Sequence, residues 1–252
     1  MNKRKKIQKC ILLVVTTRTI CVQMIMATSI GTSMGTIAAM APIAINVAQG
    51  AHLNVAIVGA AVIRGSYFGD NLSMISDTTI SAAEGCGSEM KDKFKMNFFI
   101  ALPAAIVAMI LYSVIGGTGS GAIKAGSYNI IEVLPYLIVL GAALMGINVA
   151  VVLFVGILSA AMVNNTIAII VTCPIAKEIG AKYKIAPKRL ASLVDIFACA
   201  FISLMPHDGG MLMITALANV SPLSVLKYSF YMFGLIIATC VTIQFGLMDE
   251  KN

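Results

Sequence analysis

The chain has 252 residues, 59% hydrophobic and only 12% charged, with no tryptophan and a formal net charge of +7. A soluble domain carries about 25% charged residues, so this composition excludes an ordinary soluble fold and points to a polytopic membrane protein. The surplus positive charge does not indicate a nucleic-acid partner, because it lies in short blocks between apolar runs and no nucleic-acid module accompanies it.

Taken in chain order, Lys3, Arg4, Lys5, Lys6 and Lys9 precede the apolar "CILLVVTT". Arg18 interrupts that run and no small-residue cleavage site follows, so residues 10–27 read as a retained first crossing rather than a signal peptide. "TSIGTSMGTIAAMAPIA" at 28–44 is rich in Gly and hydroxyls and reads as a re-entrant hairpin with Thr32 to Thr36 at its tip. Residues 53–84 form a second crossing that Gly69 and Asp70 interrupt, with Asn71 to Thr79 supplying free carbonyls, hydroxyls and carboxylates. The run Glu84 to Lys95 reads as a solvated loop. Apolar spans of roughly 20 residues, long enough for the hydrocarbon core, follow at Asn97–Ile115, Val133–Val151, Pro187–Met205 and Leu226–Phe245. Between them, "ILSAAMVNNTIAIIVTCPIAKEIG" reads as a second hairpin with Asn164, Asn165 and Thr166 at its tip. Pro206, His207, Asp208, Gly209 and Gly210 break another helix. The six cysteines form no C-x-x-C pair and read as small buried hydrophobes.

Fourteen of the eighteen Lys and Arg fall in four segments, at the N-terminus, at 91–95, at 177–189 and at Lys251. The intervening loops hold only Lys124 and Lys227, which is the positive-inside pattern. With the basic segments cytoplasmic, the two hairpins enter from opposite faces and residues 116–129 lie outside. Three echoes support an internal repeat: "TIAAMAPIA" with "TIAIIVTCPIA", "YFGDNLSM" with "MPHDGGML", and "FKMNFF" with "LKYSFY". The expectation is an all-α polytopic membrane protein with inverted repeats, two re-entrant hairpins and two broken transmembrane helices. It forms one integral membrane domain over residues 1–252, with repeat A at about 20–116 and repeat B at about 146–247.

Non-helical backbone at membrane depth is tolerated only where it lines protein or a water-filled cavity. Oxygen ligands suit a hard cation such as Na+, and Asp70, Asn71, Ser73 and Asp77 are the expected set. A carboxylate held away from water also keeps a proton readily and can carry one. Plainer roles stand beside these. Asp70, Asp208 and Asp77 could cap the half-helices that follow them, His207 could bond a neighbouring carbonyl, and the hairpin-tip residues could join helices. Arg64 is expected to pair with a nearby carboxylate, and Asp195 with a lysine of its own loop. Arg18 has no assigned role.

"GTSMGTIAAMAPIA", "FGDNLSMISDTTI" followed by "GSEMKDKFKMNF", "NNT" and "PHDGG" together resemble the NhaC-type sodium/proton antiporters of the ion-transporter superfamily. The wording is most similar to a YuiF-like subgroup associated both with antiport and with carriage of amino acids, histidine among them. The resemblance implies ion or substrate contacts at Thr32, Ser33, Gly35 and Thr36. It implies the same at Asp70, Asn71, Ser73, Asp77 and Thr78, and at Asn164, Asn165, Thr166, His207 and Asp208. It implies a multi-pass protein of a bacterial-type cytoplasmic membrane, with the lipid bilayer and a small cation or amino-acid solute as partners. A homo-oligomer is compatible with it. No cofactor is implied, since Na+ and H+ are cargo, and no catalytic triad or phosphate loop suggests an enzyme. Family members carry more helices before the first hairpin, so the chain reads as an N-terminally truncated member. The functional expectation is Na+/H+ antiport by alternating access. The alternatives are Na+- or H+-coupled symport of an amino acid or small organic acid, and a non-transporting membrane fragment.

Overall fold

The computed structural model describes residues 3–116 and 165–245, and every regular element among them is a helix. The loop after residue 116, the crossing at 133–151, the first arm of the second hairpin with Asn164, and the start of repeat B lie outside the described residues. The helices are α1 (Lys3–Ile30), α2 (Ser33–Gly50), α3 (Val55–Leu72), α4 (Asp77–Cys86) and α5 (Met90–Gly116). After the gap follow α6 (Asn165–Tyr183), α7 (Pro187–Leu204), α8 (Gly209–Ala218), the short α9 (Pro222–Leu226) and α10 (Phe230–Gln244). Local chemistry sets several ends. Side-chain oxygens of Thr32, Asn54 and Asp208 accept from the first-turn amides of α2, α3 and α8. Prolines open α7 and α9, where the missing amide costs nothing.

Helix α3 is the axis of the bundle, and from Ala56 to Leu72 every residue but Phe68 is buried. Helix α1 runs parallel to it, since Gly65 faces Ile20 and Gln23 while Gly69 faces Ala27 and Thr28. Helix α2 runs back the other way: Ser33 meets Asp70 and Ile45 lies beside Gly59. Helix α5 also descends along them, with Asn97 on Asn71 and Ser113 on Thr17. Helix α6 starts beside Asp77 and follows α4, so that Cys173 meets Cys86. Helix α7 returns from Gly180 past Asn165, α8 lies on Met34 and Ile37 of α2, and α10 runs against α5 from Tyr112 to Ala104.

The outward faces are apolar. Phe99, Val107, Ile110 and Val114 of α5, and Phe233, Ile237 and Val241 of α10, are exposed at helical spacing while the opposite faces are packed. Among the described residues, Met90–Ile115 and Pro187–Ala218 are the stretches long and apolar enough to cross a bilayer. Phe230–Ile243 is a shorter apolar helix.

Three sequence expectations need correction. Residues 10–27 do not end before a separate hairpin arm, because α1 continues unbroken to Ile30, where Gly31 at φ +77° turns the chain. No Gly or Pro precedes Gly31 in α1 to stop it. Its antiparallel course against α5 puts the start of α1 at the end of the bundle opposite Lys91, so the N-terminal basic segment does not share a face with 91–95 as expected. The interruption expected at Gly69 and Asp70 lies at Ser73–Ser76 instead. Gly69 serves close helix approach, while Asp70 and Asn71 find partners on other helices and leave their own backbone helical. The loop expected from Glu84 to Lys95 shrinks to Gly87–Glu89, and Lys93 is fully buried in α5.

Three of the described breaks between helices lie near the end of α3 or the start of α4. Gly31 abuts Ile75, the start of α6 touches Asp77, and Asp208 reaches Tyr67. The α1–α3 contact that fixes this level depends on Gly69. A Cβ there would lie 2.2 Å from the Ala27 Cβ and 2.4 Å from its carbonyl carbon. Gly69→Ala is therefore expected to destabilise the protein by roughly 1–3 kcal/mol. Gly50→Ala, with open space around it, should stay within about 0.5 kcal/mol of the parent. Thermal unfolding in detergent compares the two.

Candidate functional site

Ending α3 at Leu72 leaves the carbonyls of its last turn without helical donors. Side chains supply them. Thr79 Oγ1 donates to the Asp70 carbonyl at 3.1 Å, and Asn97 Nδ2 to the Asn71 carbonyl at 2.9 Å. The Asp70 carboxylate points elsewhere: its Oδ1 accepts the Ser33 N–H at 2.8 Å, at the first turn of α2. Asp70 thus caps a different helix from the one that follows it. The carboxylate lies at the positive end of α2, where a helix favours an anion.

A charged group stands beside this junction. Lys93 Nζ lies 2.6 Å from Asp195 Oδ2, both side chains fully buried, and donates to Thr79 Oγ1 at 2.7 Å. Asn97 Nδ2 also donates to Asp195 Oδ2 at 2.8 Å, and Ser192 donates to Asn97 Oδ1 at 2.5 Å. Asp195 thus pairs with a lysine of α5, not with one of its own loop as expected. Asn71 Nδ2 donates to the Tyr67 carbonyl and the Tyr231 hydroxyl, and Asn165 Nδ2 to Cys199 Sγ. The Oδ1 atoms of both asparagines are buried acceptors without a donor among the described residues.

The second interruption has different chemistry. Asp208 caps α8 by accepting the Met211 N–H through Oδ2 at 3.1 Å, and its Oδ1 accepts from the Tyr67 hydroxyl at 2.5 Å. Arg64, expected to pair with a carboxylate, instead donates through Nε to Ser229 Oγ at 3.1 Å and through Nη1 to the Ser203 carbonyl at 2.5 Å. The cation therefore satisfies the end of α7, where freed carbonyls carry partial negative charge.

The remaining expected residues scatter in role. Thr32 is the N-cap of α2, and the Thr36 hydroxyl donates to the Thr32 carbonyl at 2.8 Å. Gly35 sits against the Thr32 side chain, with its N–H on Thr32 Oγ1. Ser73 Oγ accepts the Ile75 N–H, and Thr78 shares a hydroxyl contact with Ser76. Asp77 is exposed and accepts from Thr166 Oγ1 at 2.5 Å. His207 is exposed. The structure therefore gathers Ser33, Asp70 and Asn71 around the end of α3 and joins Asp77 to Thr166, but leaves His207 apart. Sequence reasoning missed Tyr67, Lys93, Asn97, Ser192, Asp195 and Tyr231. Lys93 and Asn97 are four residues apart, and Ser192, Asp195 and Cys199 follow at three and four. These are one-face spacings on a helix that could have marked a polar stripe.

Buried charged residues within a helical bundle whose outer faces are apolar mark a candidate ion or substrate pathway. The chain matches the Na+/H+ antiporter family over residues 6–117 and 126–249 and belongs to it, and the family makes it an integral membrane protein. It is 30% identical over 98 residues to a "Malate-2H(+)/Na(+)-lactate antiporter" of Bacillus subtilis (strain 168), covering 39% of this chain and 21% of that protein. It is 26% identical over 156 residues to an "Arginine/ornithine antiporter ArcD" of Halobacterium salinarum, covering 56% of this chain and 32% of the relative. To the "Na(+)/H(+) antiporter NhaC" of Alkalihalophilus pseudofirmus it is 28% identical over 98 residues, 39% of this chain and 21% of that one. The matched stretches thus span about a fifth to a third of these curated relatives. No solved structure matches the chain.

The Ser33 amide depends on Asp70, so Asp70→Ala should lose about 1–3 kcal/mol of stability by stranding a buried donor. Asp70→Asn keeps an acceptor oxygen and should remain within about 1 kcal/mol of the parent. Unfolding temperatures of the purified variants test this.

Proposed function

We propose that the chain forms the core of a secondary active transporter exchanging Na+ for H+ across the cytoplasmic membrane by alternating access. Asp70 is the carboxylate that holds ion and proton in turn. One observation carries this reading. Asp70 is 3% exposed, and among the described residues no cationic side chain contacts it, whereas Asp195 has Lys93 at 2.6 Å. A buried carboxylate is expensive unless its charge is matched, and a bound cation or a proton provides the match.

The wider site comprises the α2 start (Thr32, Ser33, Gly35, Thr36), the α3–α4 junction (Asp70, Asn71, Ser73, Asp77, Thr78), the α6 start (Asn164, Asn165, Thr166) and the α7–α8 break (His207, Asp208). Of the four residues expected to ligate Na+, Asp70 and Asn71 fit best, because both are buried and Asn71 Oδ1 has no donor among the described residues. Ser73 Oγ already accepts from Ile75, and Asp77 is exposed and tied to Thr166. The undonated Asn165 Oδ1 favours a contribution from the second hairpin.

An inverted repeat with re-entrant hairpins in a multi-pass topology completes the proposal. Its support is that echoing segments occupy helices of opposite sense. These are α2 and α6, with Pro42 and Pro174 inside them, the interrupted pairs α3–α4 and α7–α8, and α5 with α10. The wording of "GDNLSMISDTT" favours the YuiF-like subgroup. A second reading, coupled carriage of an amino acid or small organic acid, draws on the two relatives whose printed names include organic solutes. Helix starts can offer amides to a solute carboxylate, but those of α2 and α8 already hold the Asp70 and Asp208 carboxylates.

Single cysteines at Lys91 and Lys184 are expected to label from the cytoplasm, and at His52 and Ser221 from outside. Labelling of Lys184 and His52 from one side would remove the inverted topology. In proteoliposomes an inward Na+ gradient should acidify the exterior without organic solute, and Asp70→Asn should lower that flux at least tenfold while the protein stays folded. Near-parental flux by Asp70→Asn rejects the coupling role, and proton movement only after amino-acid addition replaces antiport with symport.

A further inference from the structure

The Lys93–Asp195 contact is an unusual way to use a lysine. Its ammonium is fully buried, 2.6 Å from Asp195 Oδ2 and 2.7 Å from Thr79 Oγ1. The same Thr79 oxygen donates to the Asp70 carbonyl, and Asn97 bridges Asp195 to the Asn71 carbonyl. The ammonium therefore contacts one carboxylate and one hydroxyl oxygen. Its partners Thr79 and Asp195 are linked, directly or through Asn97, to the carbonyl end of α3, where partial negative charge collects. A carboxylate and a hydroxyl oxygen are also the ligand chemistry of a hard monovalent cation. Asn97 cannot substitute for the charge, since both amide donors and its carbonyl are engaged.

We infer that the Lys93 ammonium is a resident cation filling a monovalent-cation site built from Asp195, Thr79 and the end of α3. Removing that side chain uncovers the site for Na+. With Lys93 in place, Asp195 is permanently neutralised and does not exchange, so Asp70 remains the exchanging carboxylate on this side of α3. That last consequence rests on the proposed role of Asp70, but the cation site at Lys93 does not. Asp195 and Lys93 belong to α7 and α5, so the resident charge also ties these helices to the broken end of α3.

The test uses the full chain in detergent with an Asp70→Asn background, which removes any sodium effect at Asp70. Thermal unfolding is read in choline, sodium and lithium chloride at equal ionic strength. In choline, Lys93→Ala should lower Tm by roughly 10 °C, the consequence of a stranded buried carboxylate. Sodium should restore at least half of that loss, saturably, while the Asp70→Asn parent shows no such shift. Lys93→Ala combined with Asp195→Asn should lose the sodium response. The inference is overturned if Lys93→Ala responds to sodium no more than its parent, or if the double variant responds equally. Lys93→Ser, which adds a hydroxyl to the oxygen set, is the second variant. Failure of both single variants to fold in sodium also counts against the site, because sodium should occupy it. A sodium response at Lys93→Ala together with unchanged transport by Asp70→Asn would uphold this site and reject the function proposed for Asp70.

Discussion

The freed backbone groups at the end of α3 are the constraint around which this molecule is built. In hydrocarbon there is no water to satisfy a carbonyl or amide left over when a helix stops. The carbonyls of Asp70 and Asn71 therefore draw in Thr79 from α4 and Asn97 from α5. The Ser33 amide at the start of α2 takes the Asp70 carboxylate. Each of these bonds joins two elements, so the interruption becomes a junction. Arg64 performs the corresponding service for α7 by donating to the Ser203 carbonyl.

From that junction follows the distribution of charge. Asp195 is matched by Lys93, and Asp208 is engaged by the Tyr67 hydroxyl and the first turn of α8. Among the described residues, the helix start of α2 is what supports Asp70 electrostatically. Among the described residues, three buried carboxylates thus stand in three environments, one neutralised, one hydrogen-bonded and one left to exchangeable cargo under the proposed function. Environment, rather than residue type, separates their roles.

Close helix approach makes the junction possible. Gly69 lets the backbone of α1 lie directly on α3, and the left-handed Gly31 turns the chain so that α2 begins at the height of Asp70. Small residues at helix contacts serve this purpose where lipid provides no hydrophobic drive between helices. Gly69, which reads as a helix breaker in the sequence, acts here as a spacer.

Much of this was legible in the residues. Low charge and long apolar runs dictated a helical membrane protein, because only internally bonded backbone survives in lipid. The "GDNLSM" and "PHDGG" segments marked the interrupted helices, since polar residues inside apolar helices need a reason to be there. The tertiary structure alone decided that α1 continues to Ile30, that the break falls at Ser73–Ser76, and that Lys93 turns inward to Asp195. A lysine in a charged run looks solvated until its partner is known, and that partner lies 102 positions away in α7. Sequence periodicity reports which face of a helix is polar, but only packing brings two such faces together and so chooses between a solvated charge and a buried pair.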